Sequence, residues 1–448
     1  DASAGEMAPV LPGNLEGRPP PAEASPLQAL VDDAAPGATV EVEGGVYRGD
    51  LYLDRTVRLV GKGRPRLVGS GKGSVVRIRA PGVVVEGFDI DGLAGGDLTA
   101  DSSGVHVAAP GAVVRDCRIA NALFGVYVRE APGAVVEGNL IRGIPGREAG
   151  EKGSGIHVWN TTGFTFAGND ISDARDGIYI QNASGGVIRG NVARNLRYGL
   201  HYMNSDHNLF EDNTFERSAA GAVLMFSRDI QFRRNRFLHN RGFASVGLLF
   251  KDLDDSLAED NLVADNARGI FLEGSRRNVF RRNVVAESDV AIVLYGSSAG
   301  NRFEGNAFLG NLTPLTLFAR RTDTVFDGNY WSGHDAPDLD GDGRSDLPYT
   351  LGSLFDHFRG NLTAADLVAQ SPAAMALAAA ERAFPVLDAV QVADRAPLSR
   401  PPALPAVPAP AARRLRVDPW GTAGALSLAG AGLLVLGAGR GRRRRAAG

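Results

Sequence analysis

Between about residues 100 and 332 the apolar and polar positions of this chain repeat. One phrase ends in asparagine: "VVEGN" at Asn139, "TFAGN" at Asn169, "VIRGN" at Asn191, "LFEDN" at Asn213, "QFRRN" at Asn235, "LAEDN" at Asn261, "VFRRN" at Asn283, "RFEGN" at Asn306 and "VFDGN" at Asn329. Successive spacings are 30, 22, 22, 22, 26, 22, 23 and 23 residues. Between these phrases falls a glycine with a short apolar run, as in "GVYV", "GIHV", "GIYI", "GLHY", "GAVL", "GLLF" and "GIFL". Runs this short, rich in β-branched and aromatic residues and bounded by Gly, Asn, Asp and Ser, predict strands and turns. Their recurrence predicts a solenoid, and helical or leucine-rich repeats do not fit the period or composition. The fold class is therefore all-β, a parallel β-helix in which each coil turns the chain once around the axis.

Strand alternation assigns the faces. Three positions before the asparagine stand Phe166, Ile188, Phe210, Phe232, Phe280, Phe303 and Phe326; two after it stand Ile171, Phe215, Phe237, Val263, Val285, Phe308 and Trp331. Both columns should point inward and stack from coil to coil. The asparagine should turn inward at a corner and bond its neighbours above and below. With the glycine of the second phrase as zero, Ile156, Ile178, Leu200 and Leu248 at +1 point inward, as do the +3 residues. Positions +2 and +4 then face outward: His157 and Trp159, Tyr179 and Gln181, His201 and Met203, Val223 and Met225, Leu249 and Lys251, with Phe271 and Val293 following at +2. An aromatic and aliphatic outer wall over about seven coils, about 30 Å at strand spacing, predicts a docking surface. A loop or the C-terminal tail covering it is the bland alternative. Met203 and Met225 fall side by side with His201 nearby, and thioethers with imidazole suit Cu(I), although methionines on such a wall also serve as plain contacts. His207 lies past the turn.

The ends carry other signals. Residues 1–25 read as a flexible segment and 26–365 as the β-helix, opened by an amphipathic lid with Leu27, Leu30 and Val31. Insertions before Asn169 ("PGREAGEK") and Asn261 read as loops. A helix at 371–384 and an extended arm fill 366–400, a Pro/Ala-rich linker 401–419, and a tail 420–448. Its 20 uncharged residues, 420–439, suffice to cross a bilayer, and the arginines beyond place the C-terminus in the cytoplasm; a sorting tail later cleaved is the alternative. "DLDGDGRSD" puts Asp338, Asp340, Asp342, the Arg344 carbonyl and Asp346 at EF-hand-like spacing, a structural Ca²⁺ candidate against a solvated acidic turn, with Tyr349 where the last acid belongs.

Composition narrows the function. The formal net charge is −3, but residues 411–448 hold eight arginines against Asp418 alone, leaving 40 basic and 50 acidic residues in the body. An acidic body argues against nucleic acid as the partner. Cys117 is the single cysteine, so no intrachain disulfide is available, and the opening "DASAGEMAPV" looks like a processed start. Polysaccharide-acting β-helices need clustered carboxylates or a base in an outer groove. The candidates, Asp252, Asp254 and Asp255 beside Lys251 and Asp206 with His207, form no recurring pair, and no phosphate loop or nucleophile elbow is present. The chain does not read as an enzyme; an extracellular polysaccharide lyase, epimerase or hydrolase, or a carbohydrate-binding scaffold, is the runner-up.

The stretches "RYGLHYMNSDHNLFEDN", "AGAVLMFSRDI", "VGLLFKDLDD", "NYWSGHDAPDLDGDGRSDLPY" and "AERAFPVL…PLSRPP" occur in order. Through them, over about residues 26–400, the chain closely resembles the NosD family, periplasmic accessory proteins for maturation of nitrous oxide reductase. The resemblance implies a right-handed single-stranded β-helix that works with an ABC transporter, whose ATPase and membrane subunits are separate chains. It also implies a copper chaperone as partner, assembly of the copper–sulfur centre of the reductase as the task, and no ATP hydrolysis here. Met203 and Met225 match methionine positions of the family, while the hydrophobic, arginine-ended tail departs from its usual end. The resulting expectation is a membrane-associated periplasmic protein, anchored through 420–439, in transient contact with Cu(I) at a wall of His157, Trp159, Tyr179, His201, Met203, Met225 and Phe271.

Overall fold

The structure, a computed structural model, describes residues 25–242, 244–319, 321–351, 392–403 and 405–406. The helix expected at 371–384 and the apolar tail at 420–439 lie outside these residues. Among the described residues no helix is long and apolar enough to cross a membrane.

Three sheets of 15, 13 and 12 strands run along the stack, and each coil contributes one strand to each sheet, so that sheet neighbours are three strands apart in sequence. All strand pairings between coils are parallel among the described residues; at the C-terminal end Tyr349–Leu351 pairs antiparallel with Val392–Asp394, and an antiparallel bridge joins Arg344 to Leu398. The protein is thus the predicted parallel β-solenoid. Strands of the first two sheets are mostly three residues long, whereas those of the third reach nine, as in Asp176–Ser184, Ala220–Arg228 and Val246–Asp254.

The asparagine phrase explains the register. From Asn169 onward each asparagine accepts, at its Oδ1, the backbone N–H and the Nδ2 of the asparagine one coil before it; Asn191 and Asn213 meet at 3.0 and 2.9 Å. Its own Nδ2 also donates to a backbone carbonyl, as from Asn213 to Ile188 at 2.8 Å. The amide carries the donors and the acceptor that a buried corner needs, and these residues are essentially inaccessible. The residue just before each asparagine takes a left-handed turn, and for this reason Gly or Asp precedes most of them; Gly190 has φ +62° and Asp212 +56°. Arg234 and Arg282 adopt the same turn, and each guanidinium pairs with the aspartate one coil back, Asp212 and Asp260 respectively, at 2.9 Å.

The inward columns pack as expected. Phe210 lies flat on Phe232 with ring centres 4.6 Å apart, Phe280 on Phe303 at 4.6 Å, and Phe308 on Trp331 at 4.1 Å. Ring spacing follows the strand separation, so aromatic rings on successive coils stack face to face along the axis.

Both ends are closed. The helix Leu27–Asp33 buries Leu27 and Val31, and Gln28 exchanges hydrogen bonds with the edge backbone of Tyr52 at 2.8 and 3.0 Å. Leu30 does not join the lid: it is 53 % exposed, because a seven-residue helix turns only the i and i+4 positions onto the coil below. At the other end Asp394 completes the ladder. Fully buried, its carboxylate accepts from Asn329 N (2.8 Å) and Nδ2 (2.9 Å), Gly328 N (3.1 Å) and Trp331 Nε1 (3.2 Å).

Asp394→Ala should therefore leave several buried donors unsatisfied and cost roughly 3 kcal/mol or more. Urea unfolding measures this, and a midpoint equal to that of the parent would contradict the capping role.

Candidate functional site

The long third-sheet strands build the outer wall. Arg77, His106, Tyr127, His157, Tyr179, His201, Val223, Leu249, Phe271 and Val293 stand directly opposite one another on successive coils. Tyr127, His157 and Tyr179 form a flat stack, with ring centres 4.5 and 4.4 Å apart. His201 turns edge-on, 4.7 Å from Tyr179 and 5.2 Å from Tyr198. Beyond it Ala220, Val223 and Val246 bury one another beneath Tyr198, Met225, Leu249 and Phe271, apart from the axial core. The wall therefore covers much of itself: Tyr179 is only 2 % and His201 6 % exposed. It is a self-packed layer rather than the open apolar stripe expected from alternation.

Beneath His201 lies a charge that alternation does not reveal. The strand pairing steps over the repeat glycine, since Asp176 pairs with Tyr198 and Ile178 with Leu200. A Cβ at Gly177 would meet the Gly199 carbonyl at 2.4 Å, so the coils can approach this closely only without a side chain there. Asp176, just before that glycine, consequently turns to the outer face although its sequence parity matches the inward residues. Its carboxylate is fully buried and receives Arg197 Nε and Nη2 at 2.9 and 2.7 Å, with His201 Nδ1 at 3.3 Å. Burial alone would raise this carboxyl, but the hydrogen bonds from His201 and Arg197 outweigh it and hold the group well below the usual carboxylate range. Burial, reinforced by Arg175, pushes the His157 imidazole down to about 3, so this ring is neutral at physiological pH. Burial also pushes the Tyr179 phenol up to about 12.

Met203 and Met225 stand opposite each other on adjacent coils, two residues along the strand from His201 and Val223. The Tyr179 hydroxyl lies 2.8 Å from Gln181 Oε1 and 3.4 Å from Met203 Sδ. Two thioethers and an imidazole on neighbouring coils make a soft donor set suited to Cu(I). The remaining wall candidates lie to either side: Trp159 stacks under the Arg129 guanidinium at 4.9 Å, and Phe271 continues toward Tyr295 at 5.4 Å and then Phe318.

The model of the family described as "Periplasmic copper-binding protein (NosD)" matches residues 143–336. A "Probable ABC transporter binding protein NosD" of Pseudomonas aeruginosa is 33 % identical over 413 residues, covering 89 % of this chain and 95 % of that protein. The chain belongs to the NosD family. A protein of the same description from Stutzerimonas stutzeri is 33 % identical over 375 residues, covering 80 % of this chain and 86 % of that one. Among solved structures, the A-module of the Azotobacter vinelandii mannuronan C-5 epimerase AlgE6 superposes with a TM-score of 0.50 at 16 % identity, covering 67 % of this chain and 94 % of that one. A family 28 exopolygalacturonase of Yersinia enterocolitica gives 0.50 at 14 %, covering 68 % and 74 %. These last two likenesses concern the fold alone.

Most other sequence candidates in this NosD chain are committed elsewhere, while Asp252 is exposed. Asp254 and Asp255 both bind Arg277, at 3.2 and 2.6 Å, Lys251 pairs with Glu273, and Asp206 accepts from the Arg228 N–H at 2.9 Å. His207 faces Asp229 on the surface, away from the wall. In the acidic loop, oxygens of Asp338, Asp340 and Asp342 come within 4.8 Å of one another. Asp346 instead caps the Leu339 N–H at 2.6 Å, the Arg344 side chain reaches the Ala396 carbonyl at 3.1 Å, and Tyr349 packs on Trp331. Asp176 and Arg197 were the residues missed. The signal for Asp176 was a charge just before a repeat glycine, where later coils place Tyr198, Ala220 and Val246; Arg197, two residues before Gly199, carried no such signal.

A half-buried histidine whose ring is held neutral makes stability fall with acid. The unfolded imidazole takes up its proton near pH 6.5, whereas folded His157 resists protonation until about 3. Between pH 7 and pH 5 the protein should lose stability through this group. His157→Phe should flatten that slope by about 1–2 kcal/mol, as read by chemical denaturation at the two pH values; an unchanged slope would contradict the desolvation of the ring between Tyr127 and Tyr179.

Proposed function

We propose that this NosD-family chain is a periplasmic accessory protein in the maturation of nitrous oxide reductase. In this reading it docks on the membrane subunit of an ABC transporter, whose ATPase is a separate chain. It exchanges Cu(I), as cargo, with a copper chaperone during assembly of the copper–sulfur centre. The observation that carries the reading is the in-register pair Met203 and Met225 beside His201 on the outer face. The family description, periplasmic and copper-binding, and the relatives' name as ABC transporter binding proteins support it. Soft thioethers retain Cu(I) while exchanging it readily, which suits handover better than storage.

No catalysis is assigned. A polysaccharide-acting role would need a pair of uncommitted carboxylates along an outer groove; Asp254, Asp255 and Asp206 are held in ion pairs or backbone hydrogen bonds, which leaves Asp252 without a carboxylate partner among these candidates.

Met203→Ala/Met225→Ala should keep its β-helix circular dichroism and weaken Cu(I) binding by at least about tenfold, or about 1.4 kcal/mol. Reductase made in cells carrying this variant should be copper-poor. Full copper loading with a properly folded variant would overturn the proposal.

A further inference from the structure

The wall holds one feature that a contact surface does not need, a fully buried carboxylate. Asp176 contacts three cationic or hydrogen-bonding side chains: Arg197 through two bonds, Arg175 Nε at 3.4 Å, and His201 Nδ1 at 3.3 Å. Burying an ion pair seldom gains net stability against apolar residues of similar size. The next coils fill the equivalent position with Tyr198, Ala220 and Val246 and stack equally well. The charge therefore calls for a role beyond packing, and its geometry supplies one. Arg197 closes on both carboxylate oxygens and keeps the group ionised, so that it can only accept. The imidazole nitrogen facing it must then carry the hydrogen. Nε2, which has no hydrogen bond among the described residues, is left as the basic nitrogen. The ring itself is fixed by edge contacts with Tyr179 and Tyr198, and the Arg197 guanidinium lies over the Tyr198 ring at 4.4 Å.

We propose that Asp176 is a positioning residue: held by Arg197, it fixes His201 with hydrogen on Nδ1, so that Nε2 is the nitrogen offered to Cu(I) beside Met203 and Met225. This rests on the copper reading above and adds to it a carboxylate–histidine pair of the kind that fixes the tautomer and orientation of imidazole ligands. One competing arrangement is present on the same atoms. Arg197 Nη2 lies 3.4 Å from His201 Nδ1, and if it donated there the hydrogen would move to Nε2 and block that nitrogen. At 2.7 Å to Asp176 Oδ2, against 3.4 Å to the ring, the guanidinium favours the carboxylate.

Two measurements on the full chain test this. Nitrogen-15 NMR of the histidine-labelled, copper-free protein, with the His201 signals assigned by their loss in His201→Gln, reports the tautomer directly. The expected result is hydrogen on Nδ1, with Asp176→Asn shifting the ring toward a mixture. Competition with a colorimetric Cu(I) chelator reports affinity. Asp176→Asn is expected to weaken binding about 10- to 100-fold, while Met203→Ala/Met225→Ala weakens it without moving the tautomer. A hydrogen on Nε2 in the parent protein overturns the positioning role. So does parental affinity in Asp176→Asn when His201→Gln and the methionine variant bind weakly, and in that case the copper reading stands. If none of these variants alters affinity, the copper reading falls and the positioning role falls with it. The tautomer measurement needs no substitution at Asp176, so a variant that fails to fold leaves the test intact.

Discussion

The asparagine ladder is the constraint from which the rest of this molecule follows. A parallel stack of three-residue strands has little to fix its register except the corners, and a slip of one residue would exchange the inward and outward faces. Each asparagine amide is satisfied only when its counterpart on the next coil lies directly above it, so the amides set the register that the short strands cannot. The left-handed residue before each amide and the stacked phenylalanines beside it agree with that register. The ladder starts where the Cys117 N–H meets Asn139 Oδ1 at 3.0 Å and ends on Asp394, whose carboxylate replaces the missing next amide.

With register fixed, the outer wall becomes a ruler of one side chain per strand spacing. This is why His157 can lie flat between Tyr127 and Tyr179, and why Met203 and Met225 meet although 22 residues separate them in the chain. The long strands of the third sheet give this face room for several outward columns. Rings pack against rings and remove most of their own surface from water, which turns a would-be adhesive stripe into a rigid platform. Within it the polar groups are few and strongly perturbed: a neutral His157, an ionised Asp176 and a Tyr179 that stays protonated. A platform of that kind can hold soft donors in place without ordering them anew for each encounter.

Most of the architecture was legible in the sequence because the governing interaction recurs with every coil. Nine asparagine phrases define the period, and period-2 alternation then sorts inward from outward residues correctly at Phe210, Ile178, His201 and Met203. Three features were not legible, each for a local reason. Leu30 fits an amphipathic pattern but lies beyond the reach of so short a helix. Asp176 breaks the alternation because the glycine after it is stepped over in the pairing, which no parity argument anticipates. Asp394 caps the ladder from 65 residues beyond Asn329, a contact that only the fold discloses. The wall's self-burial was also hidden, since alternation says which way a side chain points and not how far its neighbours cover it.

The central claim, that coil register brings Met203 and Met225 together on one face, is open to a direct covalent measurement. In Met203→Cys/Met225→Cys the two Cα atoms stand directly opposite on neighbouring strands, about 4.8 Å apart, within the Cα separation that a disulfide spans. The resident Cys117 is buried and its thiol is pushed up to about 11, which keeps it out of the reaction. Mild oxidation of the folded protein should close the 203–225 bond rapidly and leave Met203→Cys/Lys251→Cys, two coils apart, reduced. Failure of the first pair to close, or equal closure of the second, would contradict the register and with it the site built upon it.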